Sequence, residues 1–192
     1  MIDSPATHDL TLPRLFNQLN SGQSSLIVSK GKTSLLKQIA GRQLQANSDH
    51  LTILYVDCKD LPHKLSPEKF WRDVLKDVAK QENLSEKIRA LIEKALKEKE
   101  LDSFFLEDYF EDAAKEKHRI ALLLDHADHL LRLELETTKT LLSQFRAFSS
   151  LTNGLVLLFA AQRTLTQFNE QTALLNPHGS PYFNTYLEIH LD

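Results

Sequence analysis

Apolar runs of strand length alternate with longer amphipathic segments along this chain, and this alternation limits the possible folds more than any other feature. The runs are "LIV" (26–28), "LTILYVD" (51–57), "RIALLLD" (119–125), "GLVLLFAA" (154–161) and "YLEIHLD" (186–192). The middle runs show little apolar–polar alternation, which is typical of strands covered on both faces. Strands separated by helices predict an α/β fold, in which a parallel sheet carries helices on both sides.

Helical patterns fill the gaps between the apolar runs. They predict helices over residues 32–46, 67–81, 85–100, 103–116 and 128–149. The second helix has Ser66 as a candidate N-cap, Pro67 at its first position and an apolar stripe. The members of that stripe are Phe70, Trp71, Val74, Leu75 and Val78. The strongly charged segment 85–100 is interpreted as a helix with a solvated face.

The length and charge of the chain limit its organisation and its partners. Its 192 residues predict one domain over 1–192, with a helical lead-in at 1–22 and a helical insertion at 84–117 between strands two and three. The net charge of -3 gives no global positive field for nucleic acid, although a local basic patch is compatible with it. We therefore expect no nucleic-acid partner.

The chain also lacks features of exported and membrane proteins. No apolar run approaches the ~18 residues of a membrane span, and the N-terminus "MIDSPATHDLTLPRL" has no positive start followed by an apolar region. The single cysteine, Cys58, cannot form an internal disulfide, which fits a reducing compartment. We expect a cytoplasmic protein that does not contact membranes.

Residues 24–40, "SSLIVSKGKTSLLKQIA", contain the end of a phosphate-binding loop without its beginning. Gly31, Lys32 and Thr33 match the last three positions of the pattern G-x-x-x-x-G-K-[ST], whose turn wraps its N–H groups around a phosphate. If Ser29 takes the place of the first glycine, only Lys30 stands where the pattern requires four residues. The loop is too short to surround a phosphate, although Lys32, Thr33 and the helix N-terminus could still attract an anion. The alternative is a chance tripeptide that starts a helix.

The segment "IALLLDHADHLL" (120–131) places acidic and histidine side chains directly after a predicted strand. Asp125 ends the strand, where phosphoryl-transfer ATPases hold Mg²⁺ with an aspartate. His126, a weaker base than a carboxylate at this position, would orient water poorly, so hydrolysis should be slow or absent. A rival interpretation is a metal site made by Asp125, His126, Asp128 and His129, but zinc ligands usually come from separated segments. The simpler interpretation is a strand end followed by a helix that Asp128 caps.

Polar residues also follow the fourth predicted strand. Gln162 and Arg163 come directly after Ala160 and Ala161. A polar residue at this strand end commonly senses the outermost phosphate in such ATPases. Ordinary loop polarity after a buried strand explains the two residues equally well.

Four segments taken together resemble the ATPase core of AAA-like and STAND-type P-loop NTPases, a bacterial signalling and regulatory class. These segments are "SLIV…GKTSLLKQIA", "IALLLDHADHLL", "LSQFRAFSSLTNGLVLLFAAQRTL" and "GSPYFNTYLEIHLD", with "KFWRDVL" as further support. They occur in the family's order over residues 10–192. The resemblance implies a three-layer sandwich around a parallel five-stranded sheet with strand order 5-1-4-3-2.

The resemblance also implies site residues and cofactors. ATP would contact Ser29, Lys30, Gly31, Lys32, Thr33 and Ser34, with Mg²⁺ held through Thr33 and Asp125. Asp125 and His126 would be the catalytic pair, and Gln162 or Arg163 would be the sensor. This sequence departs from the family in its short loop, in His126 where a glutamate is expected, and in ending at the fifth strand without the helical lid.

Three hypotheses for function follow. The first is a functional ATP-binding STAND-type switch. The second is a degenerate pseudo-ATPase that regulates or scaffolds through a protein partner or self-assembly. The third is a nucleic-acid-associated regulator, which the acidic balance disfavours. The short loop and the missing glutamate favour the pseudo-ATPase.

Overall fold

The computed structural model describes residues 5–29, 31–43, 50–177 and 179–190. The strands are β1 (Ser25–Val28), β2 (Leu51–Asp57), β3 (Arg119–Asp125), β4 (Leu155–Ala161) and β5 (Leu187–His190). They form one sheet in the order β2-β3-β4-β1-β5, and every neighbouring pair is parallel. The predicted α/β fold and strand order are confirmed. The last two residues of the fifth predicted strand lie outside the described residues.

Seven α-helices occur in the described part of the chain. They are α1 (Pro5–Ser21), α2 (Lys32–Gln43), α3 (Pro67–Ala79), α4 (Glu86–Lys97), α5 (Ser103–Lys115), α6 (Leu135–Leu151) and α7 (Leu165–Thr172). Helices α2 to α5 agree with the predicted segments to within a few residues, and residues 44–46 of the first lie outside the described ranges. None of the described helices is both long and apolar enough to cross a membrane.

Each face of the sheet packs against its own group of helices. Ala121 and Leu123 of β3 point into a cluster that contains Leu15 of α1 and Leu36 of α2. Leu122, between them, points into the opposite cluster, which contains side chains from α3 to α7. Both faces of the central strands are therefore buried, which explains why their sequences show no alternation.

Trp71 of α3 lies at the centre of the larger cluster. Its ring makes edge contacts with four phenylalanines, namely Phe70, Phe110, Phe145 and Phe148. Its indole N–H donates to Oε1 of Gln144 at 2.8 Å, so the one polar atom of the buried ring has a partner. The α3 stripe and the Ser66 cap are as predicted, since Ser66 accepts the N–H of Lys69 and all five stripe residues are buried.

The prediction of one helix over 128–149 is wrong. A short 3-10 helix (Ala127–Arg132) follows β3, and Leu133 and Glu134 are extended before α6 begins. The 3-10 helix sets residues three apart on one side, so Ala127 and Leu130 are both buried. Thr138 of α6 donates its hydroxyl to the Leu130 carbonyl at 2.9 Å, which fixes the break between the two helices.

Helix α7 did not emerge from the sequence pattern. Its sequence "LTQFNEQT" offers only Leu165 and Phe168 as large apolar residues. It is fixed instead by a capping box between Thr164 and Gln167 and by the complete burial of Phe168. A single buried aromatic and a cap are thus enough for this helix, without an amphipathic stripe.

Candidate functional site

The carboxyl ends of the parallel strands meet at one edge of the sheet. Asp57 pairs in register with Asp125, and Val28 with Ala161. The segments that follow these residues enclose a cavity of about 490 Å³. Six of the ten predicted site residues line it, namely Gly31, Lys32, Thr33, His126, Gln162 and Arg163. Ser29, Ser34 and Asp125 are not among its lining residues, and Lys30 lies outside the described residues.

The connection between β1 and α2 comprises only residues 29–31. Gly31 has a φ of +79°, a left-handed conformation that favours glycine. Its carbonyl accepts the N–H of Leu35 at 3.2 Å in the first turn of α2. The ammonium of Lys32 donates to the Ser29 carbonyl at 2.9 Å. The lysine predicted to bind phosphate is thus held by the carbonyl of its own loop.

Asp125 is fully buried at the end of β3. The Tyr55 hydroxyl donates to Oδ2 of Asp125 at 2.8 Å, and the His126 backbone N–H donates to Oδ1 at 2.8 Å. Burial, together with the Asp125 hydrogen bond, raises the pKa of Tyr55, which therefore stays a neutral donor. Both oxygens of the predicted magnesium ligand already have protein partners.

His126 is oriented by Asp57, a residue that the sequence reasoning missed. The Nδ1 atom of His126 lies 2.8 Å from Oδ1 of Asp57 and 3.6 Å from Oδ2 of Asp125. Asp57 also accepts the N–H of Lys59 at 3.0 Å. Burial by itself would raise the pKa of Asp57, but the hydrogen bonds from Lys59 and His126 outweigh it and lower this pKa. Asp57 ends β2, so the in-register pairing of two parallel strands could have revealed it.

The metal-ligand set read from the sequence is corrected by the structure. The atoms that come together, all within 4.8 Å of one another, belong to Asp57, Asp125 and His126. Asp128 instead uses its carboxylate elsewhere, and the His129 ring lies 6.5 Å from the His126 ring, measured between centroids. Two carboxylates and an imidazole suit a divalent metal. Here His126 and Asp57 are hydrogen-bonded to each other, and the Asp125 oxygens accept from the Tyr55 hydroxyl and the His126 backbone N–H.

Asp128 joins the segments after β3 and β4. Its Oδ2 accepts the backbone N–H of Gln162 at 2.8 Å, and its Oδ1 forms an ion pair with Arg163 at 2.6 Å. The expectation that Asp128 caps a helix is wrong, because the cap position belongs to His126, which makes no capping bond through its side chain. The predicted sensor residues lie in the cavity wall, and Asp128 holds both of them.

Three further basic side chains line the cavity, those of Lys59, His129 and Arg132. Lys59 lies on the 3-10 helix after β2 (Cys58–Asp60), and the other two lie on the one after β3. Burial and the positive charges of Arg132, Lys59 and His126 lower the pKa of His129. No sequence motif marks these residues, because they come together only where adjacent strands end.

Comparison with known proteins assigns the chain to a family. A family model described as an AAA domain matches residues 29–168. The chain belongs to the AAA domain family. Its sheet and helices accordingly form an AAA-type P-loop ATPase domain. No curated protein gives a significant match.

Solved structures share the fold of this AAA domain at low sequence identity. A Walker-type ATPase of Pyrococcus abyssi has a TM-score of 0.58 and 14% identity, over 100% of this chain and 53% of that one. The ORC2 protein of Aeropyrum pernix, in ADPNP–ADP complexes, has a TM-score of 0.54 and 16% identity, and the match covers 100% of this chain and 48% of that one. The ORC1 protein of Aeropyrum pernix, in complex with DNA, has a TM-score of 0.55 and 15% identity, and the match covers 96% of this chain and 45% of that one. The chain spans about half the length of these structures.

Proposed function

We propose that this AAA domain is a pseudo-ATPase, a regulatory or scaffolding module with weak or absent ATP hydrolysis. The observation that carries the proposal is the three-residue connection between β1 and α2. A phosphate-binding loop needs enough residues to point several N–H groups at one phosphate. A connection of this length cannot encircle it, and the Lys32 ammonium is engaged by the Ser29 carbonyl. ATP with Mg²⁺ therefore fits these residues poorly.

The lining of the cavity supports the same conclusion. Small-molecule pockets are mostly apolar, with a few polar groups that fix orientation. Among the described residues that line this cavity there is no aliphatic, phenyl or indole side chain. An adenine base would find charged and polar groups instead of an apolar surface.

The residues proposed for catalysis are poorly arranged for hydrolysis. Thr33 and Asp125 would hold Mg²⁺ if a nucleotide were bound, but both Asp125 oxygens are engaged by Tyr55 and His126. His126 stands where a water-activating glutamate is expected, and Asp57 holds one of its ring nitrogens. Gln162 and Arg163, the proposed sensors, are held by Asp128.

Calorimetric titration with ATP and Mg²⁺ tests the proposal. We expect binding no tighter than about millimolar, unchanged in Lys32→Ala. Lys139→Ala, which removes an exposed lysine on α6, is the matched control. A repaired loop, Ser29→Gly with three residues inserted after Lys30, should gain affinity because it restores the full spacing of the motif. Micromolar binding that is lost in Lys32→Ala and kept in Lys139→Ala would contradict the pseudo-ATPase.

Phosphate release is the second measurement in this test. We expect the wild-type protein and Asp125→Asn to release phosphate at the same background rate. Turnover that Asp125→Asn abolishes would refute the proposal and favour the alternative, a functional ATP-binding STAND-type switch. The observation behind that alternative is that Lys32, Thr33 and Arg163 line the same cavity.

A scaffolding role implies a protein partner or self-assembly in the cytoplasm, and we propose these over nucleic acid. The net charge of -3 supports this preference. We further propose that residues 1–192, including the lead-in 1–22 and the insertion 84–117, form one core domain. In support, Leu19 of α1 packs in the same cluster as β1, and Ile88 of α4 packs in the larger cluster.

A further inference from the structure

We propose that the cavity binds a small polyphosphate anion through the side chains of Lys59 and Arg132, which lie outside the phosphate loop. The ligand class is pyrophosphate or triphosphate, either free or as the tail of a nucleotide. The inference rests on the proposed function in one respect, since it takes the loop itself to be unfit for binding phosphate. Nothing in the loop motif points to these two residues.

The first support is the excess of positive over negative side chains in the lining of the cavity. Lysine and arginine side chains line the cavity at four positions, and the lining contains one carboxylate, that of Asp128. That carboxylate pairs with Arg163 at 2.6 Å. In the described part of the chain, the side chains of Lys59 and Arg132 form no ion pair and no hydrogen bond, and both residues are exposed. Their charges are therefore available to a ligand.

The second support is the local potential. Burial lowers the pKa of His129 most, Arg132, Lys59 and His126 lower it further, and the Asp128 carboxylate acts against them. The basic side chains of Arg132 and Lys59 line the same cavity as His129. The whole chain carries a net charge of -3, so this cavity departs in sign from the molecule around it. A cleft lined by one sign of charge concentrates counter-ions of the opposite sign.

The third support is the type of group that the cavity can satisfy. Its volume of about 490 Å³ is lined by charged and polar groups, with the Thr33 hydroxyl and the start of α2 on one side. The N-terminus of a helix adds a further preference for negative charge. A compact anion with several charges satisfies these groups, whereas a nucleoside adds apolar surface and finds no aliphatic, phenyl or indole residue in the described lining.

The test is calorimetric titration without Mg²⁺, using pyrophosphate, tripolyphosphate, ATP and adenosine as probes. Low ionic strength is needed because salt screens exposed charges. The Debye length is about 8 Å at physiological salt and about 30 Å at 0.01 M. The cavity variant is Lys59→Ala/Arg132→Ala. The control variant Lys64→Ala/Lys139→Ala removes the same net charge at exposed positions that do not line the cavity.

We expect tripolyphosphate to bind the wild type and the control alike, and the cavity variant at least about tenfold more weakly, a loss of about 1.4 kcal/mol. ATP should bind about as tightly as tripolyphosphate, and adenosine should not bind. Asp128→Asn should tighten binding, because it removes the carboxylate from the lining. Equal affinity in the cavity and control variants would overturn the inference.

The two proposals fail in different ways. Mg²⁺-dependent ATP binding that disappears in Lys32→Ala would contradict the pseudo-ATPase proposal. The polyphosphate site would be contradicted if tripolyphosphate did not bind, or if it bound equally well after substitution of Lys59 and Arg132. ATP binding much more tightly than tripolyphosphate would also overturn the inference, since it would mean that the nucleoside is recognised.

Discussion

The conformation of the phosphate loop can be tested by alanine substitutions at Gly31 and Gly41. Both glycines are exposed, and a Cβ added at either would meet no heavy atom within 4 Å. Neither alanine would clash, so the two variants differ in the backbone conformation that the alanine must adopt. Gly31 has a φ of +79°, whereas Gly41 lies within α2.

This difference predicts effects of opposite sign. A left-handed backbone costs an L-residue about 1–2 kcal/mol, so Gly31→Ala should lower the free energy of unfolding by about that amount. Glycine within a helix is about 0.5–1 kcal/mol less favourable than alanine, so Gly41→Ala should raise it. We expect the two to differ by about 2 kcal/mol.

Urea denaturation at equilibrium measures this difference. With unchanged m-values, the midpoint of Gly31→Ala should fall below that of the wild type, and the midpoint of Gly41→Ala should lie above it. Thermal midpoints should separate in the same order, by about 2–4 °C per kcal/mol for a chain of this size. If both alanines stabilise the protein equally, Gly31 does not hold a left-handed conformation. The tight loop on which the pseudo-ATPase proposal depends would then be wrong.

Two further predictions concern the acidic residues of the site. The pKa of Asp57 in the folded protein is lowered from 3.8, so its contribution to stability is full above about pH 4 and is lost as the pH falls through the folded value. The difference in free energy of unfolding between wild type and Asp57→Asn should therefore be constant above about pH 4 and shrink as the pH falls below about 4. A difference that does not change with pH would contradict the hydrogen-bonded pair. The exposed variant Asp60→Asn is the control. Asp128→Ala should lower stability by about 1–2 kcal/mol and speed amide exchange at Gln162, because this N–H loses its acceptor. Unchanged exchange at Gln162 would show that Asp128 does not hold the segment after β4.

The sequence predicted those parts of the fold whose local pattern is decided by burial. Strand β3, a central strand covered on both faces, matches its apolar run residue for residue, and so does the edge strand β2. The break between the 3-10 helix and α6 was missed, because Leu130 and Leu133 also suit a continuous amphipathic helix. Contacts that a sequence pattern does not show distinguish the two arrangements, such as those of Thr138 with the Leu130 carbonyl and of the Glu134 N–H with the His63 carbonyl.

The candidate site was predictable only where a motif spans adjacent residues. Gly31, Lys32 and Thr33 were found because the loop motif is local, and they line the cavity together with Gln162 and Arg163. Lys59 and Arg132 are single basic residues on separate 3-10 helices, and nothing in their neighbours distinguishes them from surface lysines and arginines. Their convergence follows from strand order and register, which sequence periodicity does not specify.

Under the pseudo-ATPase proposal, the close approach of Asp57 to the turn after β3 would make ATP hydrolysis hard to restore by a single substitution. His126 has a φ of +49°, and its ring meets Asp57 while its N–H meets Asp125. A glutamate introduced at this position would place a third carboxylate beside two that are already there, and the repulsion would expel it or force it to take up a proton. Placing an acidic residue there would therefore require changes at the ends of β2 and β3 together. An apparently simple histidine is thus fixed by a neighbour 69 positions earlier in the chain.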